Sequence, residues 1–145
     1  MKWIWHKYHD LDDSQLRDIS ELRKSFFEAD QEVPLKDEYD EMSFHLLGLM
    51  DSELVAYGRV IPPHGDFTNP YLSRIIVVEK FRKRGFGKAL VNELSKKSKD
   101  LFANKITKVS SLASTLSFYK KHNFIEDKKF IDEAGVEHFI LLKND

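Results

Sequence analysis

A chain of 145 residues with 41% hydrophobic content fits one domain, residues 1–145, with a real core, and excludes a disordered polymer. With 23 basic and 24 acidic side chains the net charge is −1, so no global field draws in nucleic acid or an anionic membrane, and any anion site must be local. The lack of cysteine excludes disulfides, zinc–thiolate centres and a thiol nucleophile and suits a reducing cytoplasm, while no apolar run approaches the roughly 20 residues that span a bilayer.

Trp3 and Trp5 alternate with Lys2, Ile4 and His6, which predicts a first strand over residues 2–7. A helix is expected from Asp12 to Glu28, capped by Asp12 with Gln15 three positions on. Its buried stripe is Leu16, Ile19, Leu22, Phe26 and Phe27. Ala29 to Met42 is acidic and contains Pro34, and reads as an irregular loop whose length suggests function or mobility. Its Asp37, Glu38, Asp40 and Glu41 suggest a flap that attracts cationic amines. Phe44–Met50 and Leu54–Ile61 form a hairpin around Asp51-Ser52-Glu53. Pro62-Pro63-His64-Gly65 then breaks the pattern.

Leu72–Val78 holds the β-branched run Ile75-Ile76-Val77-Val78, expected of a strand covered on both faces. A helix follows from Gly85 to Asp100, then a strand over Ile106–Ser110 and a short helix over Ala113–His122. Phe124–Ile131 and Val136–Lys143 pair around Asp132-Glu133-Ala134-Gly135. The order β-α-β-β-β-α-β-α-β-β predicts an α/β fold: a mixed, mostly antiparallel central sheet with helices on both faces.

The chemistry concentrates in Arg82-Lys83-Arg84-Gly85-Phe86-Gly87-Lys88, where a buried strand turns into a helix. The glycines leave main-chain N–H groups uncovered, and the helix N-terminus adds partial positive charge, a combination that holds phosphate oxygens. No Gly-Lys-Ser/Thr follows, so this is not a Walker loop, and the spacing is not that of a dinucleotide fingerprint. Arg82-x-x-Gly85-x-Gly87 resembles the diphosphate-binding signature of the GNAT superfamily of N-acetyltransferases. Phe118-Tyr119-x-x-x-Asn123-Phe124 is similar to that family's Phe-Tyr-x-x-x-Gly-Phe, with Asn123 replacing the glycine. Leu112 stands where the family often has a CoA-contacting Asn.

The resemblance implies acetyl-CoA as acyl donor, no metal, and a splay between two central strands. It places the backbone of Ile76 and Val77 beside the pantetheine arm and makes Tyr119 the acid that protonates the departing thiolate. Leu22-Arg23, Phe27, Asp30-Gln31, Pro34, Asp37, His45-Leu46-Leu47-Gly48, Ala56-Tyr57-x-Arg59, Arg74 and His138 resemble the ElaA-like branch, with Asp30 where a Glu is usual and Tyr39 interrupting the acidic cluster. Arg59 and Arg74 are candidate substrate contacts, and His45 or His138 a candidate base, with Glu79 weaker; the four strand residues His45, Arg59, Arg74 and His138 are expected to converge on the cleft. The other histidines lack metal-ligand spacing. The expectation is acetyl transfer to a small-molecule or peptide amine by a monomer or homodimer. The alternative is a non-catalytic acyl-CoA-binding sensor or scaffold.

Overall fold

The computed structural model describes residues 1–27 and 36–144. Asp30, Gln31, Pro34 and the end of the first helix at Glu28 lie outside the described residues, as does the side chain of Phe27. Strands β1 (Lys2–Lys7), β2 (Phe44–Met50), β3 (Glu53–Ile61), β4 (Tyr71–Val77), β5 (Lys108–Leu112), β6 (Phe124–Ile131) and β7 (Glu137–Lys143) form one sheet of order β1-β2-β3-β4-β5-β7-β6. Helices α1 (Asp13–Phe27), α2 (Phe86–Leu101) and α3 (Leu116–Lys121) complete the fold. Every pairing is antiparallel except β4 with β5, so the mixed, mostly antiparallel sheet read from the element order is present.

Local chemistry sets the elements. Asp12 and Gln15 exchange bonds across the start of α1: the Gln15 N–H donates to Asp12 Oδ1 at 2.8 Å, and the Asp12 N–H donates to Gln15 Oε1 at 2.9 Å. This is the expected capping box. Asp51 and Ser52, at φ 51° and 68°, make the two-residue turn between β2 and β3, whose left-handed pair matches the strand twist. Strand β5 begins two residues later than predicted. The β-branched Ile106 and Thr107 are drawn into the approach instead: the Ile106 N–H donates to Asn69 Oδ1, and the Thr107 hydroxyl bonds Ser98 Oγ at 2.6 Å.

Two cores form, one on each side of the sheet. Leu46, Ala56, Val60, Leu72, Val109, Phe139 and Leu141 pack with Leu90, Val91 and Leu94 of α2 and Tyr119 of α3. On the other face Leu47, Tyr57 and Ile76 pack with Leu11, Ile19 and Leu22. Helix α2 rides close on β3, because a Cβ built at Gly58 would lie 2.7 Å from Leu94 Cδ1. The buried stripe of α1 is narrower than the periodicity predicts, since Phe26 is 38% exposed.

Asn123 ends α3 at φ 66°, and its carbonyl accepts the Asn144 N–H at 2.7 Å. Asn is the residue after glycine that best tolerates this left-handed position, so the turn survives the missing glycine. Asn123→Val should therefore destabilise the fold by about 1–2 kcal/mol, the cost of a left-handed branched residue, while Asn123→Gly should lose nothing. Urea unfolding of the three proteins is the check, and equal losses for Val and Gly would contradict it.

Candidate active site

The site begins where β4 leaves β5. The two strands pair only at Tyr71 with Lys108 and Leu72 with Val109, and beyond those pairs β4 continues to Val77 while β5 diverges. The main-chain groups of β4 that point away from β3 therefore face an opening after Leu72. Opposite them β4 still pairs with β3, Tyr57 with Ile76 and Ala56 with Val77. Ile76 buries its side chain against α1, at 1% exposure. Ile75 and Val77 lean on the α2 core, so the strand is fixed on both faces.

At its end β4 passes through a single turn, Glu79–Phe81, closed by the Phe81 N–H on Val78 O and the Arg82 N–H on Glu79 O. Lys83 at φ 62° and Gly85 at φ 84° then reverse the chain into α2. Gly85 caps the helix without a side-chain bond, and the first intrahelical bond is Ala89 N–H to Gly85 O at 3.1 Å. The N–H groups of Phe86, Gly87 and Lys88 consequently have no partner within the helix and point out of its positive end.

Lys83, Arg84 and Lys88 extend into solvent around them, Arg84 lying over the Phe81 ring. Arg82 does more than carry charge. Its Nε donates to Val77 O at 2.9 Å and its guanidinium lies over the Phe26 ring, tying the loop to the end of the strand. Gly87 sits above Phe118, which a Cβ would meet at 3.4 Å.

Phe118 touches its neighbour Tyr119 edge-on, and Tyr119 packs in turn on Phe124. Tyr119 is 8% exposed, and its hydroxyl takes no hydrogen bond among the described residues. Burial pushes its pKa up to about 12, so it carries its proton throughout the neutral range. Leu112, an apolar side chain, ends β5 across the opening.

On the α1 face a chain of ion pairs lies against the same strand. Arg59 Nη1 donates to Asp37 Oδ1 and Asp40 Oδ1 at 2.7 Å each. Its Nη2 donates to Asp37 Oδ2 at 2.7 Å and Ser73 Oγ at 3.1 Å. Arg23 of α1 reaches Asp40 at 2.8 Å, and Arg74 Nη2 reaches Asp37 Oδ2 at 3.2 Å. Burial works to raise the Asp37 carboxyl, but the Arg59 fork overrides it and holds it at about 2. Burial likewise lowers His45, whose Nε2–H donates to Asp40 O at 2.8 Å while Nδ1 accepts the Tyr57 hydroxyl at 2.6 Å. His45 is thus neutral, with both nitrogens in use.

The four strand residues do not all meet. His45, Arg59 and Arg74 share this chain, whereas His138 lies across Leu112 on β7, donating from Nε2 to Asp132 Oδ2 at 2.8 Å and stacking on Phe130. The acidic segment also divides. Asp37 and Asp40 turn inward and are held by arginines, while Glu38 and Glu41 stay outside. An amine-attracting flap built on Asp37 and Asp40 is therefore replaced by an internal anchor. Arginines inside strand patterns signal a pairing with the acidic loop, and Asp37 and Asp40 are the partners that Arg59 and Arg74 find there. Among the described residues no group of three or more His, Asp or Glu side chains is placed to hold a metal.

Residues 10–142 match the family described as an acetyltransferase (GNAT) domain. Protein ElaA of Escherichia coli is 28% identical over 140 residues, covering 92% of both chains. The crystal structure of that protein superposes with TM-score 0.86 at 24% identity over 99% of each chain. An acyl-CoA N-acyltransferase from Pseudomonas aeruginosa matches with TM-score 0.86 at 20% identity over 98% of each chain. A GNAT acetyltransferase from Elizabethkingia anophelis, with acetyl-CoA bound, matches with TM-score 0.72 at 17% identity, covering 99% of this chain and 97% of its own. With the splayed strands, the open helix end and the buried tyrosine in one place, and a family match across nearly its whole length, the chain belongs to the GNAT acetyltransferases.

Proposed function

We propose that this chain moves an acetyl group from acetyl-CoA to an amine acceptor by direct transfer in a ternary complex. The observation that carries the reading is the alignment of the β4–β5 opening with the unpartnered N–H groups of Phe86, Gly87 and Lys88. Those groups, with Lys83, Arg84 and Lys88 around them, suit the diphosphate. The pantetheine arm would then run along the free edge of β4 past Val77 and Ile76 toward Ser73 and Arg74. The Val77 carbonyl already accepts Arg82, so the main-chain groups left on that edge are the Val77 N–H and those nearer the bulge.

In this reading the acceptor nitrogen attacks the thioester carbonyl carbon, main-chain donors of β4 stabilise the negative charge that grows on oxygen, and the carbon–sulfur bond breaks. Tyr119 gives its proton to the departing thiolate. A nucleophilic amine must first be neutral. Among the described residues His138, unlike His45, keeps a ring nitrogen without a protein partner, and Asp132 orients it, so the base role falls to His138, directly or through water. Arg59, locked at 1% exposure, serves the scaffold and not the acceptor. The absence of cysteine suits the cytoplasm, and no helix of the described residues is long and apolar enough to cross a membrane.

Two variants test the reading. Gly87→Val should abolish calorimetric CoA binding while leaving the thermal melt within a few degrees of the parent; unchanged affinity in a folded variant removes the diphosphate loop from the site. Tyr119→Phe keeps the ring, and should lower kcat in a thiol-release assay with an amine panel by roughly 10²- to 10⁴-fold, with CoA affinity retained. Because Tyr119 holds its proton to about pH 12, parent kcat should show no alkaline loss from this group between pH 7 and 10. Full kcat in a folded Tyr119→Phe protein would assign thiolate protonation to water. Tight CoA binding with no amine acetylated would favour a non-catalytic acyl-CoA-binding module.

A further inference from the structure

Strand β4 is interrupted where the thioester would lie. From Arg59 to Tyr57, β3 advances two residues, while their partners on β4, Ser73 and Ile76, are three apart. One residue is extra, and the extra residue of a bulge drops out of the ladder and re-aims its neighbours. Arg74 sits in this bulge at φ 54°. A long side chain enters that region only when its surroundings hold it there.

An ionic chain holds it. Arg74 is bonded to Asp37, Asp37 is gripped on both oxygens by Arg59 of the neighbouring strand, and Asp40 carries the chain on to Arg23 of α1. The Asp37 N–H donates to Asp40 Oδ2 at 2.9 Å, so the two carboxylates are also fixed to each other. Arg23 and Arg59 are 3% and 1% exposed, and a buried ionic chain of this kind is seldom the most stable filling for its space. Its effect here is geometric, since it fixes one bulge from three elements.

We propose that Asp37 is a positioning residue for acyl transfer. Through Arg74, and braced by Arg59, it holds the β4 bulge in the left-handed conformation that turns main-chain N–H groups toward the thioester carbonyl. The inference rests on β4 being the strand that receives acetyl-CoA.

The test uses acetyl-CoA labelled with ¹³C at the thioester carbonyl, whose infrared stretch falls when N–H groups polarise it, so no acceptor is needed. In the parent protein the bound stretch should lie below that of free acetyl-CoA. Arg74→Ala and Asp37→Asn should lose most of that displacement, with acetyl-CoA affinity within roughly threefold of the parent and kcat with the best amine of a panel down about tenfold or more. Arg74→Gly should keep more of both than Arg74→Ala, because glycine adopts positive φ without strain. This order is the signature of a backbone role; a guanidinium that touched substrate would be missed equally in Ala and Gly. Gly at or below Ala overturns the proposal, as does a parent with no displacement, or Asp37→Asn that raises only the acceptor KM. Should Asp37→Asn not fold, the Arg74 pair decides alone. Acetyl-CoA that does not bind the parent, or that binds Gly87→Val unchanged, strikes the donor-strand reading itself and is seen as lost or unmoved affinity, not as an altered order of variants.

Discussion

Two residue pairs join β4 to β5, and the opening between the strands exists because they are so few. A sheet that stayed zipped past Leu72 would bury the main-chain edge of β4 in a ladder and leave no slot for a substrate. Because the strands part, that edge needs other partners, since unpaired N–H and C=O groups away from water are costly. The fold keeps the edge from collapsing by supporting β4 from both faces: Ile76 is set into the α1 core, and Ile75 and Val77 lean against the α2 core. The opening then leads straight to the first turn of α2, whose donors the helix itself cannot satisfy.

The two faces of the sheet divide the work by their chemistry. The α2 face is apolar, and there Phe118 lies beneath Gly87 and beside Tyr119, so one short helix both supports the loop and carries the buried tyrosine. The α1 face adds an ionic chain beside its apolar core. Arg23, Asp40 and Arg59 are taken out of water almost completely and Asp37 largely so, and removal of any one partner strands the charge of another. Hydrophobic contact is non-directional and would let the segment around Asp37 dock in several ways. A forked guanidinium on a carboxylate permits one. The rigid bulge of β4 follows from that difference.

Much of this was legible in the sequence because it is local. Alternation around Trp3 and Trp5, the Asp12–Gln15 capping pair and the Arg82–Gly87 loop each lie within a few consecutive residues, where periodicity and turn chemistry act. Strand β5 slipped by two residues because the β-branching of Ile106 and Thr107 reads as strand, while their actual partners, Asn69 and Ser98, are brought in by tertiary structure. The ionic chain was less legible still. Arg59 and Arg74 stood out as polar residues in strand patterns, but their bonds to Asp37 span 22 and 37 positions and leave no periodic trace. His45 and His138 look alike in sequence and have opposite surroundings: one is closed off between Asp40 and Tyr57, the other sits at a strand end beside Asp132 and Phe130.

In the proposed function the parted edge of β4 and the first turn of α2 form one continuous binding surface for an acyl-CoA. Backbone amide resonances followed while CoA is titrated into ¹⁵N-labelled protein test it most directly. The largest shifts, and slowed hydrogen exchange, are expected at the amides of Ile75, Ile76, Val77, Gly85, Phe86, Gly87 and Lys88, with those of β1 and β2 unmoved. Shifts confined to the α1 face, or a first turn of α2 that does not respond, would contradict it.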